Sequence, residues 1–299
     1  MQALHNFSFE RSRGIVWVCD LVNSAKYLND NSCAGDLEEF LPRLHWTGMI
    51  ATEAANGRFL KWTGDGFLAW FETPLYREIG QKAAAVFQAV WHLSFIVNVT
   101  QLAVKSSKRF MVRHGIAFEH DALLTNIKDA KGHEMLDITG RGVVLAFRLS
   151  GIPASFPGLV TDGSLLKSAR EFGYKSTEFK SWIPSAEDRL RFFKGERYGT
   201  GNLYVSSDKT PRKKSVTSTL KHSKRLVDAV ESKSMVPTGE LDVESRFCSM
   251  MSNGPSWAKT AIAKEHQFIE KDMLGALKTF VTLAGKSDVG NRAAKKHVK

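Results

Sequence analysis

Two aspartates stand where strands should end. Asp20 closes the apolar run Gly14–Cys19 (GIVWVC), and Asp65 sits in the turn of Lys61-Trp62-Thr63-Gly64-Asp65-Gly66. Taken singly, each is an ordinary turn or cap residue, since Asp readily bonds its own backbone there. Together they have a use. The turn of a hairpin lies beside the end of any strand paired with it, so the two carboxylates can converge. Close carboxylates repel unless cations lie between them. Hard oxygen donors facing a triphosphate suit Mg²⁺ or Mn²⁺, and two such ions per site make the arrangement of two-metal phosphoryl chemistry. Other site chemistries find less support. The nine histidines show no metal-ligand spacing on a common helix. The cysteines, Cys19, Cys33 and Cys248, form no Cys-x-x-Cys pair. A disulfide framework and a structural zinc site are therefore not expected, and a reducing cytoplasm is.

Elements that could position the two aspartates are legible around them. GIVWVC is a short β-branched run and reads as a buried strand. Residues 36–56 carry Phe40, Leu41, Leu44, Met49 and Ile50 at helical spacing. Residues 58–62 and 67–71 read as strands flanking the Asp-Gly turn. A long helix is expected from Tyr76 to about Gln101 and a strand over 109–119. A helix follows over 140–149, then short strands at 159–161, 189–193 and 202–205. The order strand–helix–strand–strand–helix–strand predicts an α/β (α+β) sandwich of ferredoxin-like type, with the helices on one face of the sheet.

Charge divides the chain. Lys plus Arg exceed Asp plus Glu by 11 among 299 residues, and +8 of that excess falls on residues 206–299. Residues 206–223 are rich in Ser, Thr and Lys and read as a linker. A helical pattern follows over 257–284. The expected organisation is thus a catalytic domain over 1–206 and a basic linker with a C-terminal helical extension over 207–299. The tail lacks interleaved aromatics, so nucleic acid is not the expected partner. The most apolar stretch, 83–104, is interrupted by Gln88, His92, Asn98 and Gln101. It reads as a buried helix and not a membrane span. No basic segment followed by an apolar run marks a signal peptide near Met1.

At four places the residues resemble the class III nucleotidyl cyclases. Val16–Ser24 (VWVCDLVNS) looks like their first metal-binding segment, and Phe59–Ala69 (FLKWTGDGFLA) like the hairpin with the second metal aspartate. Val112–Ile116 (VRHGI) resembles the central strand that follows. Leu136–Gly140 (LDITG) with Val143–Arg148 resembles the base-recognition and transition-state segment. The likeness covers roughly residues 10–206, with the motifs in order. It implies a class III cyclase catalytic domain in which Asp20 and Asp65 hold two metal ions. The backbone amides of Val22, Asn23 and Ser24 would cradle phosphate. Lys61 and Asp137 would face the base, Arg148 would stabilise the transition state, and Lys194 would touch the triphosphate. It also implies a head-to-tail homodimer with sites between subunits. Each site would take Asp20 and Asp65 from one subunit, and Lys61, Asp137 and Arg148 from the other. Two departures stand out: Val144 occupies a position where many members have Asn, and Ala117–His120 replaces a Gly-rich stretch.

The base stays open on residue types alone. One Lys donor and one Asp acceptor suit adenine, cytosine or uracil. The segments VWVCDLVNSAKYLNDN and KWTGDGFLAWF also resemble the bacterial pyrimidine cyclases of Pycsar antiphage defence. That likeness favours UTP over CTP and implies a separate effector responsive to the cyclic nucleotide. A purine cyclase and an inactive cyclase-like module are the alternatives. A template-directed polymerase is disfavoured, because the chain has no fingers-sized insertion.

Overall fold

The computed structural model describes residues 6–30, 34–103, 110–128, 132, 134–155, 157–174, 177, 179–194, 202–207 and 243–259. The chain opens on a long strand, β1 (Asn6–Leu21), then a one-turn helix α1 (Ser24–Leu28) and α2 (Ala34–Ala54). The hairpin β2 (Arg58–Trp62) and β3 (Phe67–Glu72) leads into α3 (Ile79–Ala103). A second hairpin follows, β4 (Val112–Lys128) with β5 (Glu134–Thr139), then α4 (Arg141–Ser150) and β6 (Leu159–Asp162). Next come α5 (Gly163–Glu171), β7 (Phe179–Trp182), α6 (Ala186–Phe193) and β8 (Leu203–Ser206). The last described element is α7 (Val243–Ser252).

One sheet of eight strands runs β2-β3-β1-β4-β6-β8-β7, with β5 paired to β4. Alternation along β1 explains how the sheet holds two cores. Ile15, Trp17, Cys19 and Leu21 face one side, where α2, α3, α5 and α7 supply the packing. Val16 and Val18 face the other, under Val143, Ala146 and Leu149 of α4 and Phe193 of α6. The helices thus cover both faces, not one. Gly115 makes the second layer close: a Cβ there would stand 2.0 Å from the Ala146 carbonyl oxygen, so α4 lies directly on the backbone of β4.

Other expectations need correcting. Residues 189–193 are not a strand. They close α6, which a capping box starts: Ser185 Oγ accepts from the Asp188 amide at 3.1 Å, while the Asp188 carboxylate accepts from the Ser185 amide at 3.2 Å. The strand expected over 109–119 continues to Lys128, because its outer half pairs with Asn6–Ser12 of β1. Helix α7, unforeseen in the sequence, belongs to the first core. Val243, Phe247 and Met251 are buried there, and Phe247 stacks on His92. Arg246 of α7 binds Asn56 and donates to the Glu53 carbonyl at 3.1 Å, capping the C-terminal end of α2. Residues 208–223 of the expected linker, and the expected helix beyond 259, lie outside the described residues.

Candidate active site

The hairpin turn closes on the end of β1. Cys19 pairs with Phe67, so Asp65 falls beside Asp20. Gly66 permits the approach, since a Cβ there would lie 2.0 Å from the Cys19 carbonyl oxygen. The Asp65 carboxylate acts on Asp20. Burial, the Asp65 charge and a hydrogen bond with Asp65 raise the Asp20 pKa to about 6, against the pull of Arg113 and of the Leu21 backbone amide. Burial, followed by the same two carboxylates, pushes the Cys19 thiol well above its ordinary range. That thiol is an inert core group, not a nucleophile.

This is a donor set that fits a divalent cation. Two hard oxygen ligands meet with their mutual repulsion only partly offset, and a cation between them would lower the Asp20 pKa again. Among the described residues no cluster of three or more His, Cys, Asp and Glu could hold a metal. The remaining ligands would therefore have to come from backbone, water or substrate oxygens.

Arg113, to which the sequence reading gave no role, belongs to this site. Its register partner across the sheet is Asp20. One guanidinium nitrogen stands 3.8 Å from Asp20 Oδ2, and another donates to the Gly151 carbonyl at 2.9 Å. It thereby ties Asp20 to the end of α4. The signal was present in VRHGI, but only strand pairing shows which end of β4 meets Asp20. Beneath it lies His114, fully buried. Trp17 Nε1 donates to its Nδ1 at 3.1 Å, so its proton is on Nε2, 2.8 Å from Ser94 Oγ. Ser94 Oγ donates onward to the Pro157 carbonyl at 3.0 Å. Burial lowers the His114 pKa to about 3, so the ring is a neutral structural link.

The turn after β1 divides the three amides of the expected phosphate cradle. The Val22 amide already donates to the Met111 carbonyl at 2.8 Å, extending the β1–β4 ladder. Asn23, in the left-handed region at φ 59°, and Ser24 begin α1. Those two amides are the ones left for an anion.

Lys61 and Asp137 do meet, with Nζ 2.6 Å from Oδ1 and both side chains about half exposed. A β-bulge in β2 makes this possible. Phe59 pairs with Ala69 and Lys61 with Leu68, so Leu60 is the extra residue and Lys61 shares the α4 face with Leu68. The pair offers a donor and an acceptor side by side. Arg148 lies in the last turn of α4, and its Nε is buried with no hydrogen-bond partner among the described residues. Val144 and Phe147 stand partly exposed on the same helix. Lys194 is the exposed C-cap of α6, in the left-handed region at φ 51°. No hydrogen bond or ion pair joins it to the other candidate residues among the described residues, and its position before β8 puts it toward the opposite edge of the sheet from β2 and β3.

No family model matches this chain, and no curated relative does. Solved structures do. One is the adenylyl cyclase CyaB from P. aeruginosa, at 17% identity and a TM-score of 0.49 over 69% of this chain and 98% of that one. Another is the adenylate/guanylate cyclase/hydrolase from Silicibacter pomeroyi, at 20% identity and 0.47 over 67% and 100%. A third is the guanylyl cyclase Cya2, at 16% and 0.46 over 66% and 92%. The likeness is one of mixed α/β fold, and what the site can do is argued from its own residues.

Proposed function

We propose that the chain is a metal-dependent nucleoside triphosphate cyclase, converting UTP to 3′,5′-cyclic UMP and pyrophosphate. The observation that carries the reading is the meeting of Asp20 and Asp65 at the end of β1, with Arg113 beside them. A carboxylate pair at a strand end serves no packing purpose and destabilises its own charge, which is the signature of a site built for a cation. Two bound Mg²⁺ or Mn²⁺ ions would supply acidification of the ribose 3′-hydroxyl and neutralise phosphoryl charge.

The chain's own groups do the rest. Asp20 and Asp65 hold the ions. The Asn23 and Ser24 amides and the Arg113 guanidinium orient phosphate oxygens. Lys61 donates to the base edge and Asp137 accepts from it. As the 3′-oxygen attacks the α-phosphorus and pyrophosphate departs, negative charge grows on the phosphoryl oxygens. The Arg148 guanidinium stabilises that charge where it develops. Lys194 reaches the triphosphate only if the partner subunit brings it there.

The sites lie in a head-to-tail homodimer, each combining Asp20 and Asp65 of one subunit with Lys61, Asp137 and Arg148 of the other. The exposed apolar residues Val144 and Phe147 beside Arg148 support an interface on α4. Uracil is favoured by the resemblance of the β1 and hairpin segments to the Pycsar cyclases, and cytosine comes second. In that role the enzyme acts in the cytoplasm, and its product signals phage infection to a separate effector.

The test is substitution of the carboxylates. Asp20→Asn and Asp65→Asn each lower cyclisation by at least about 100-fold while thermal unfolding stays cooperative. Wild-type turnover by both variants contradicts the assignment.

A further inference from the structure

A notch interrupts the sheet away from Asp20. On one edge β4 pairs with β1 throughout; on the other it pairs with β6 over His114–Ile116 and with β5 only from Leu123. Residues 117–122 therefore have no strand on that edge among the described residues. The gap opens into a cleft of ≈ 1320 Å³ between the first turn of α4 and the polar stripe of α5. Phe118, Leu145 and Tyr204 give it apolar and aromatic walls.

The charges in the cleft are unevenly committed. Glu119 is buried and accepts from the Gly142 amide at 2.6 Å and the Asp121 amide at 3.0 Å. Asp121 pairs with Arg11, and Asp162 caps α5 by accepting from the Leu165 amide at 2.9 Å. Only one of the four lining carboxylates, that of Glu171, makes no such bond among the described residues. Arg141, next to Gly142 at the start of α4, and Lys167, one turn before Glu171 on α5, line the cleft with no hydrogen bond or ion pair among the described residues. Arg170 adds a third cation, resting over the Phe179 ring at 6.0 Å. Free positive charge beside an aromatic wall is how proteins hold a flat organic anion.

We propose that this cleft binds a small organic anion, an aromatic body carrying a phosphate, with Arg141 and Lys167 on the phosphate and Phe118 and Tyr204 against the ring. The cleft is separate from the aspartate site. α4 runs between them for about 13 Å, from Gly142 on Glu119 to Gly151 on Arg113. A ligand on Arg141 therefore bears on the helix that carries Arg148. That consequence rests on the cyclase reading; the binding does not.

The experiment is calorimetric titration of the full chain with 2-naphthyl phosphate, alongside inorganic phosphate. One saturable equivalent is expected, tighter for the ester than for phosphate. Arg141→Ala and Lys167→Ala each weaken it about tenfold or more, with unchanged unfolding midpoints, and Arg148→Ala leaves it intact. Absence of saturable binding up to millimolar probe overturns the proposal. So does binding that Arg148→Ala weakens while the Arg141 and Lys167 variants do not, since the probe then occupies the aspartate site. Equal affinity for phosphate and ester overturns the aromatic contact.

Discussion

Asp20 and His114 sit near each other in the sheet and titrate for opposite reasons. Burial and Asp65 raise the pH at which Asp20 takes up a proton. His114 is held neutral, with both ring nitrogens matched to partners of the correct sense. The sign for stability follows. The unfolded chain takes up a proton at His114 near the ordinary imidazole pKa, whereas the folded chain does so only near 3. Between those values the unfolded state binds more protons, so stability falls as pH falls, by about 1.4 kcal/mol per pH unit from this group. His114→Gln removes that contribution. Urea midpoints of both proteins from pH 7 to pH 4 are expected to converge as pH falls, and a constant separation would contradict the reading. At this scale the sequence was informative about the carboxylates, because strand ends and an Asp-Gly turn are local signals. It was silent on Arg113, whose role depends on which residue of β1 it faces.

Elements with a strong period were readable and those made by long-range pairing were not. The strand ending at Asp20, the helix from Ala34, the hairpin around Asp65 and the long apolar helix α3 all follow from local pattern. The outer half of β4 has polar His120 and Asp121 within it, and β5 is exposed along much of its length. Both exist because they pair with β1 and with each other, which no local period announces. The α6 capping box stands in the sequence as Ser185-Ala186-Glu187-Asp188, a local helix-start signal that the strand expectation over 189–193 leaves out. Helix α7 is the larger lesson. It lies beyond a compositional break, yet Phe247 is only 1% exposed and stacks on His92. Phe247→Ala is expected to cost about 3–5 kcal/mol in urea unfolding of the full chain, the usual loss for a buried Phe. A cost below about 1 kcal/mol would mean that α7 is not part of the core.

At the scale of the whole molecule, one sheet carries two kinds of surface. Helices α2, α3, α5 and α7 pack on one face, while α4 and α6 cover the other, which Lys61 of the bulged β2 shares. No described helix is long and apolar enough to cross a membrane. Of the net charge of +11, residues 206–299 carry +8, so most of the chain's long-range attraction for anions originates there. The proposed cyclase turns over one nucleotide. The direct measurement is incubation of the purified chain with ATP, GTP, CTP and UTP in separate reactions containing Mn²⁺ or Mg²⁺, with products identified by mass spectrometry. Cyclic UMP with pyrophosphate from the UTP reaction is the predicted result. A different cyclic nucleotide would keep the cyclase and refute the base, and a folded, metal-loaded protein that makes no cyclic nucleotide from any of the four would contradict the account.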